Sequence, residues 1–190
     1  MTRAELVARM SYAEYLERER TSATKHEYLR GEVFAMAGGT LEHGRLAARV
    51  THLIASGIGQ RPCEAFSSDA KVRVDETDLS TYPDVTLICG RIERSPTDPE
   101  AAINPVVLVE VLSDSSEAYD RGEKFAHFRR LGSLQEYVLV SQKEPRVEVF
   151  RRTTGGRWEL GEAGAGERVV LESIGVEFAV DDVYASALAS

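Results

Sequence analysis

The sequence is short of most features that announce a function outright. Its 190 residues include two cysteines, one tryptophan and three methionines, and aromatic residues make up only 7%. Cys63 and Cys89 are far apart and form no CxxC. That argues against a zinc ribbon and against the disulfide framework of a small secreted scaffold. The pair reads as two buried free thiols in a reducing cytoplasm. No apolar run reaches the roughly 18 residues of a transmembrane helix, so no membrane partner is expected. Met1–Arg20 is rich in Glu and Arg and lacks the apolar centre of a signal peptide. Repeats of 20–50 residues are absent as well. Basic charge is scarce: 23 Lys+Arg stand against 31 Asp+Glu, a formal charge of −8. This balance argues against a DNA coat protein, whose affinity leans on phosphate neutralisation. It leaves room for an enzyme that holds metal ions on carboxylates.

What is present fits one globular domain over residues 1–190, with 43% hydrophobic and 28% charged residues. Ser11 and Glu14 have the spacing of a capping box before a short helix ending near Arg20. Residues 25–37 read as a hairpin turning at Arg30-Gly31. Thr40 is placed to cap a helix over Leu41–Ile58. Its apolar stripe is Ala47, Val50, Ile54 and Ile58 with Leu46 and Leu53 beside it, while Arg45, Arg49 and His52 look solvated. Residues 70–75 alternate as a strand with one polar face. Pro83–Cys89, Val106–Leu112 and Glu136–Val140 read as more apolar strands, and Glu117–Leu131 as an amphipathic helix. Residues 145–152 and 157–160 form a second hairpin. Gly161–Gly166 reads as a loop, and the tail as short strands and a helical turn. The expected class is α/β: a central mixed β-sheet flanked by helices, with an N-terminal helix and hairpin and additional C-terminal strands.

Three residues resist a purely structural explanation. Glu110 interrupts the most apolar strand, where a desolvated carboxylate is costly unless paired or bound to metal. Period 2 puts it on one face with Val106, Leu108 and Leu112. A buried ion pair with an arginine is the structural alternative. Asp84 follows Pro83 at a strand entrance, as a turn residue would too. Lys124 lies four residues after Asp120 and four before Phe128, where it would also snorkel along an apolar face. Together the three suggest metal-dependent phosphodiester chemistry. Carboxylates hold Mg²⁺ through hard oxygens, the metal acidifies a water, and an ammonium orients the water or neutralises developing charge.

The ordered segments then resemble the Uma2 family, a bacterial group within the PD-(D/E)XK nuclease superfamily often labelled as restriction endonucleases. They are Ser11–Leu16, Glu27–Glu32, His43, Tyr82–Val85, Asn104–Val106, Glu110–Ser113, Tyr119–Phe125 and Glu136–Val140. The resemblance implies a restriction-endonuclease-like core, with Asp84 and Glu110 as catalytic metal ligands and the Val111 backbone carbonyl as a third oxygen. The strict motif would place lysine two residues after Glu110, where this chain has Leu112. As in Uma2 relatives, Lys124 on the following helix is expected to take that role, with Asp120 and Arg121 in support. Ser113-Asp114-Ser115-Ser116 departs from the family's Ser-Pro-Ser-Thr. Glu27, Glu32 and His43 are secondary site candidates.

The expected function is a Mg²⁺-dependent endonuclease-like phosphodiesterase acting on DNA, with Mn²⁺ able to substitute. It is expected in the cytoplasm and, by analogy with nucleases that cut both strands, as a homodimer using the Arg146–Leu160 hairpin. The alternatives are a catalytically silent nuclease-fold binding or assembly protein, and a metal-dependent phosphohydrolase of RNA or nucleotides. Sorting the charge refines the picture. Residues 62–100 carry 4 Lys+Arg and 9 Asp+Glu, and residues 161–190 carry 1 and 6. The 117–131 and 141–160 segments are mildly basic and remain available to face phosphates.

Overall fold

The capping box forms as its spacing predicts. The Glu14 N–H donates to Ser11 Oγ at 3.3 Å, and the Ser11 N–H donates to the Glu14 carboxylate at 2.7 Å. In the computed structural model, which describes residues 6–36 and 38–186, helix α1 spans Tyr12–Thr21. A strand not expected from the sequence, β1 (Leu6–Arg9), precedes it. Strands β2 (His26–Leu29) and β3 (Glu32–Ala35) form the expected hairpin. Arg30 and Gly31 turn it with φ of 50° and 88°. Two positive φ values match the twist of a two-residue hairpin. Ala37, the last residue of the expected hairpin, lies outside the described residues.

Helix α2 spans Leu41–Ile58, with Thr40 Oγ1 accepting the His43 N–H at 3.1 Å. It buries Leu46, Val50, Ile54 and Ile58, while Ala47 and Leu53 pack half-buried beside them. Each fully buried side chain of this kind contributes roughly 1.5–3 kcal/mol. His52 is exposed, but Arg45 and Arg49 are only half-buried. Arg45 donates to the Tyr184 and Ala185 carbonyls and Arg49 to that of Ala185, so both tie α2 to the C-terminal segment.

The strands that follow are β4 (Cys63–Ser67), β5 (Lys71–Val74), β6 (Leu79–Thr81), β7 (Val85–Cys89), β8 (Ala101–Ala102) and β9 (Val107–Val111). A helical segment then leads to β10 (Glu136–Val140), β11 (Arg146–Arg152), β12 (Trp158–Gly164), β13 (Arg168–Leu171), β14 (Val176–Ala179) and α5 (Val180–Tyr184). One six-stranded sheet has the order β12-β11-β10-β9-β7-β4 and is parallel at β9–β10. A parallel pair needs a crossover, which the helical segment supplies. Alternation along β9 divides the core. Val107, Val109 and Val111 pack with α2, α5 and the β13–β14 ribbon. Leu108 and Leu112 pack on the opposite side with Phe125, Phe128 and Tyr137. Val106 lies just before the strand and packs with the α2 side, not on the Glu110 face.

A second six-stranded sheet, β1-β3-β2-β6-β5-β8, was not legible from the sequence. It explains why the polar face of β5 is not solvated. Arg73 is 5% exposed, pairs with Asp78 at 2.5 Å, and sits 3.8 Å from the Tyr12 ring of α1. Lys71 pairs with the buried Asp98 at 3.0 Å. The Gly-rich stretch is also corrected. Gly161–Gly164 belongs to β12, in register with Val149 back to Arg146, because a backbone ladder needs no side chains. The cysteines are corrected too: Cys63 and Cys89 are half-buried and form a disulfide. They are directly opposed in the antiparallel β4–β7 pair, a proximity that a sequence separation of 26 conceals. The free-thiol support for a reducing compartment falls with that reading. No described helix is long and apolar enough to cross a membrane.

Candidate active site

The helical segment after β9 is not a plain amphipathic helix to Leu131. It comprises α3 (Glu117–Tyr119), a π turn over Asp120–Lys124, and α4 (Phe125–Phe128). A π turn inserts an extra residue and re-aims the side chains within it. Here both Asp120 and Lys124 end up buried, at 3% and 5% exposure. Tyr137, on β10, braces the turn from below. Its hydroxyl donates to the Asp120 carbonyl at 3.1 Å, and its ring stacks on Phe125 at 5.2 Å.

The π turn faces Glu110 on β9 and Glu27 on β2. Lys124 Nζ lies 2.8 Å from Glu110 Oε1, 3.1 Å from Glu27 Oε1 and 3.7 Å from Asp120 Oδ1. Glu27 is held from the neighbouring strand by the Thr81 hydroxyl, which donates to its Oε1. Asp84 enters from the other side, just before β7. Its Oδ2 accepts the Val111 N–H at 2.8 Å and lies 3.2 Å from His43 Nε2, in the first turn of α2. These residues line a common cavity of about 560 Å³.

The electrostatics follow from crowding. Burial pushes the Glu110 carboxyl well above the usual carboxylate range; the Lys124 ammonium opposes this, and Asp120 and Asp84 add to it. Burial likewise raises Asp120 against the pull of Lys124. Burial works against the charge on Lys124, but Glu110, Glu27 and Asp120 together hold its pKa well above the ordinary lysine value. His43 is raised by its hydrogen bond to Asp84, against the cost of burial, with the Val111 carbonyl adding to the rise. The surrounding acidic groups therefore keep Lys124 charged. Glu110 Oε1 is buried and, although 2.8 Å from Lys124, has no hydrogen bond in proper geometry.

The structure thus brings together Asp84, Glu110, Lys124, Glu27, His43, Asp120 and the Val111 backbone. Two sequence candidates lie elsewhere. Glu32 pairs with Arg9 at 2.5 Å and lines a separate cavity with Arg30 and His127. It sits at the turn end of the hairpin opposite Leu29, on the same face as Glu27 but displaced along the strands from it. Arg121 pairs with Glu117 at 3.1 Å and with Glu148 on β11, so it braces the helix against the sheet. Sequence reasoning missed Tyr82, Tyr119 and Gln142 in the cavity wall. Tyr82 and Tyr119 open two of the matched segments without being singled out as site residues, and no spacing signal marks Gln142.

The Uma2 family profile, described as "Putative restriction endonuclease", matches residues 12–181. The chain is similar to the uncharacterized protein slr1290 of Synechocystis sp., 36% identical over 176 residues, covering 93% of this chain and 92% of that one. A second Synechocystis protein, the uncharacterized sll1609, is 34% identical over 163 residues, covering 86% and 92%. In fold it resembles the crystal structure of a "putative nuclease belonging to DUF820" from Anabaena variabilis, with a TM-score of 0.75 and 20% identity. That likeness covers 92% of this chain and 97% of the other. The chain belongs to the Uma2 family.

Proposed function

We propose that the protein is a Mg²⁺-dependent endonuclease-like phosphodiesterase acting on DNA, with Mn²⁺ able to replace Mg²⁺. Family membership supports a nuclease-like function acting on nucleic acid. The observation that carries the finer reading is a buried charge imbalance. Glu27, Asp84, Glu110 and Asp120 share one cavity with the ammonium of Lys124 and the imidazole of His43. A divalent cation would relieve that excess of acid.

The donor set fits such an ion. Asp84 and Glu110 offer hard carboxylate oxygens, one of them the buried Glu110 Oε1 that lacks a hydrogen bond. Among the described residues, no three His, Cys, Asp or Glu side chains form a ready metal cage. Magnesium suits that arrangement, since it keeps several waters and uses one or two carboxylates. Asp84, Glu110 and the Val111 carbonyl would hold the ion, which supplies an acidified water and charge stabilisation at phosphorus. Lys124 stays charged because three carboxylates surround it, and its ammonium is placed to orient the attacking water or to meet developing negative charge. Glu27 and Asp120 pair with the Lys124 ammonium and restrict its motion.

Incubation with duplex DNA, RNA and nucleotides, with Mg²⁺, Mn²⁺ or EDTA, tests the reading. Metal-dependent cleavage of DNA is expected, lost in Asp84→Ala, Glu110→Ala and Lys124→Ala. Full activity of Glu110→Ala would sink it. Cleavage of RNA or nucleotides alone would redirect it to another phosphohydrolase. Metal binding without any cleavage would redirect it to a binding or assembly role. Cutting both strands of a duplex further calls for two copies. Strand β12 lies at the edge of its sheet with Leu160 56% exposed, and sedimentation measures whether a dimer forms.

A further inference from the structure

An aspartate at the entrance of a strand rotates freely unless something holds it, and a metal ligand must present a chosen oxygen. Both polar partners of the Asp84 carboxylate fall on Oδ2: the Val111 N–H at 2.8 Å and His43 Nε2 at 3.2 Å. Oδ1 is left to face another partner. His43 is itself held at its backbone and along its ring edge. Its backbone N–H is capped by Thr40 Oγ1, and its Nδ1 edge lies against Gly39. A Cβ at position 39 would stand 2.7 Å from His43 Nδ1 and 2.9 Å from Cγ, closer than real Cβ atoms approach.

We propose that His43 is the positioning residue for Asp84, and that position 39 is glycine because the imidazole occupies the space a side chain would need. The proposal rests on the metal-site reading above. A second tie runs parallel to the first. The Thr40 hydroxyl donates to Gln142 Oε1 at 3.1 Å, and Gln142 Nε2 donates to the Leu112 carbonyl at 2.7 Å. The first turn of α2 is therefore fastened twice to the end of β9, through Asp84 to Val111 and through Gln142 to Leu112. With α2 held there, an alanine at 39 cannot be relieved by sliding the helix. Its methyl would press on the ring that meets Asp84. His43 then acts on the reaction through Asp84, as hydrogen-bonded partners of metal ligands do elsewhere.

Mn²⁺ titration of the full chain, read by the electron paramagnetic resonance signal of free Mn²⁺, tests this without relying on turnover. The variants are His43→Ala, His43→Gln, Gly39→Ala, the Gly39→Ala/His43→Ala double and Asp84→Asn, each checked for folding by circular dichroism in EDTA. Binding is expected in the wild type and lost in Asp84→Asn. His43→Ala and Gly39→Ala should each weaken it about 10- to 100-fold, the usual cost of losing such a partner. The double variant should be no weaker than His43→Ala, because both changes break one contact. His43→Gln should restore most of the affinity, since its amide nitrogen reaches about as far as Nε2. Wild-type affinity in folded His43→Ala or Gly39→Ala overturns the proposal and leaves the metal site standing. A glutamine variant as weak as alanine overturns the donor role. Absence of binding to the wild type, or unchanged binding in Asp84→Asn, overturns the metal-site reading and this proposal with it.

Discussion

The Lys124 ammonium stands 2.8 Å from Glu110 Oε1, yet that oxygen takes no hydrogen bond from it. The pair is held by charge against the cost of burial, with Glu27 and Asp120 competing for the same ammonium. Buried charge clusters of this kind are poor sources of stability unless every group is satisfied. The site is accordingly a place where the fold gives up stability to gather these charged groups.

The Glu110 carboxyl is raised in the folded chain, chiefly by burial. Its contribution to stability is therefore present below the unfolded carboxylate pKa and is lost as pH rises through the folded value. Without metal, the unfolding temperature should fall with rising pH across that window. Glu110→Gln should flatten the slope and raise stability at pH 8. A calorimetric pH series in EDTA measures this, and an unchanged slope in the variant would contradict the assignment.

His43 should keep its proton to a higher pH than an unperturbed histidine, because its hydrogen bond to Asp84 outweighs the cost of burial. The stabilisation it brings is complete below the unfolded histidine pKa and disappears as pH rises through the folded one. Carbon-detected NMR titration of the ring in metal-free protein reads the midpoint. Asp84→Asn should move it down, and a midpoint that stays put would show that Asp84 is not the cause.

Tyr137→Phe removes the hydroxyl that donates to the Asp120 carbonyl and leaves the ring stacked on Phe125. One lost hydrogen bond costs about 0.5–1.5 kcal/mol. The expected result is that modest loss by urea unfolding, together with weaker cleavage, since the π turn would hold Lys124 less firmly. Wild-type stability and activity would remove Tyr137 from the support of the site.

Reduction of the Cys63–Cys89 disulfide frees a loop of 26 residues. Loop-closure entropy puts the loss at about 3–4 kcal/mol. The double serine variant should show a similar drop in urea with the site geometry unaltered, because β4 lies at the sheet edge, away from β9. Equal stability of the oxidised and reduced proteins would show that the bond constrains little.

Much of this molecule is legible locally. Capping by Ser11 and Thr40, the Arg30-Gly31 turn and the apolar strands all depend on neighbours a few residues away, and the structure forms them where the spacing puts them. Glu110 stood out because a carboxylate in an apolar strand needs a partner, and its partner is Lys124 rather than an arginine. The family resemblance carried Asp84 and Lys124, which composition alone left ambiguous.

Other features depend on which strands meet, and no local pattern encodes that. The cysteines pair because β4 and β7 are antiparallel neighbours in one register. Arg73 and Lys71 are covered because a second sheet and α1 close over a face that alternation alone would leave wet. Glu27 enters the site and Glu32 does not because, on one face of the hairpin, Glu27 lies opposite Phe34 while Glu32 lies at the turn opposite Leu29. The sequence by itself determined most of the helices and apolar strands, the family, and the acidic and lysine residues that stand out in them, since these follow from residue type and short-range spacing. Only the tertiary structure decided which carboxylates share the cavity, how the π turn aims Lys124, and that His43 holds Asp84, because those contacts join residues far apart in the chain through the register of two sheets.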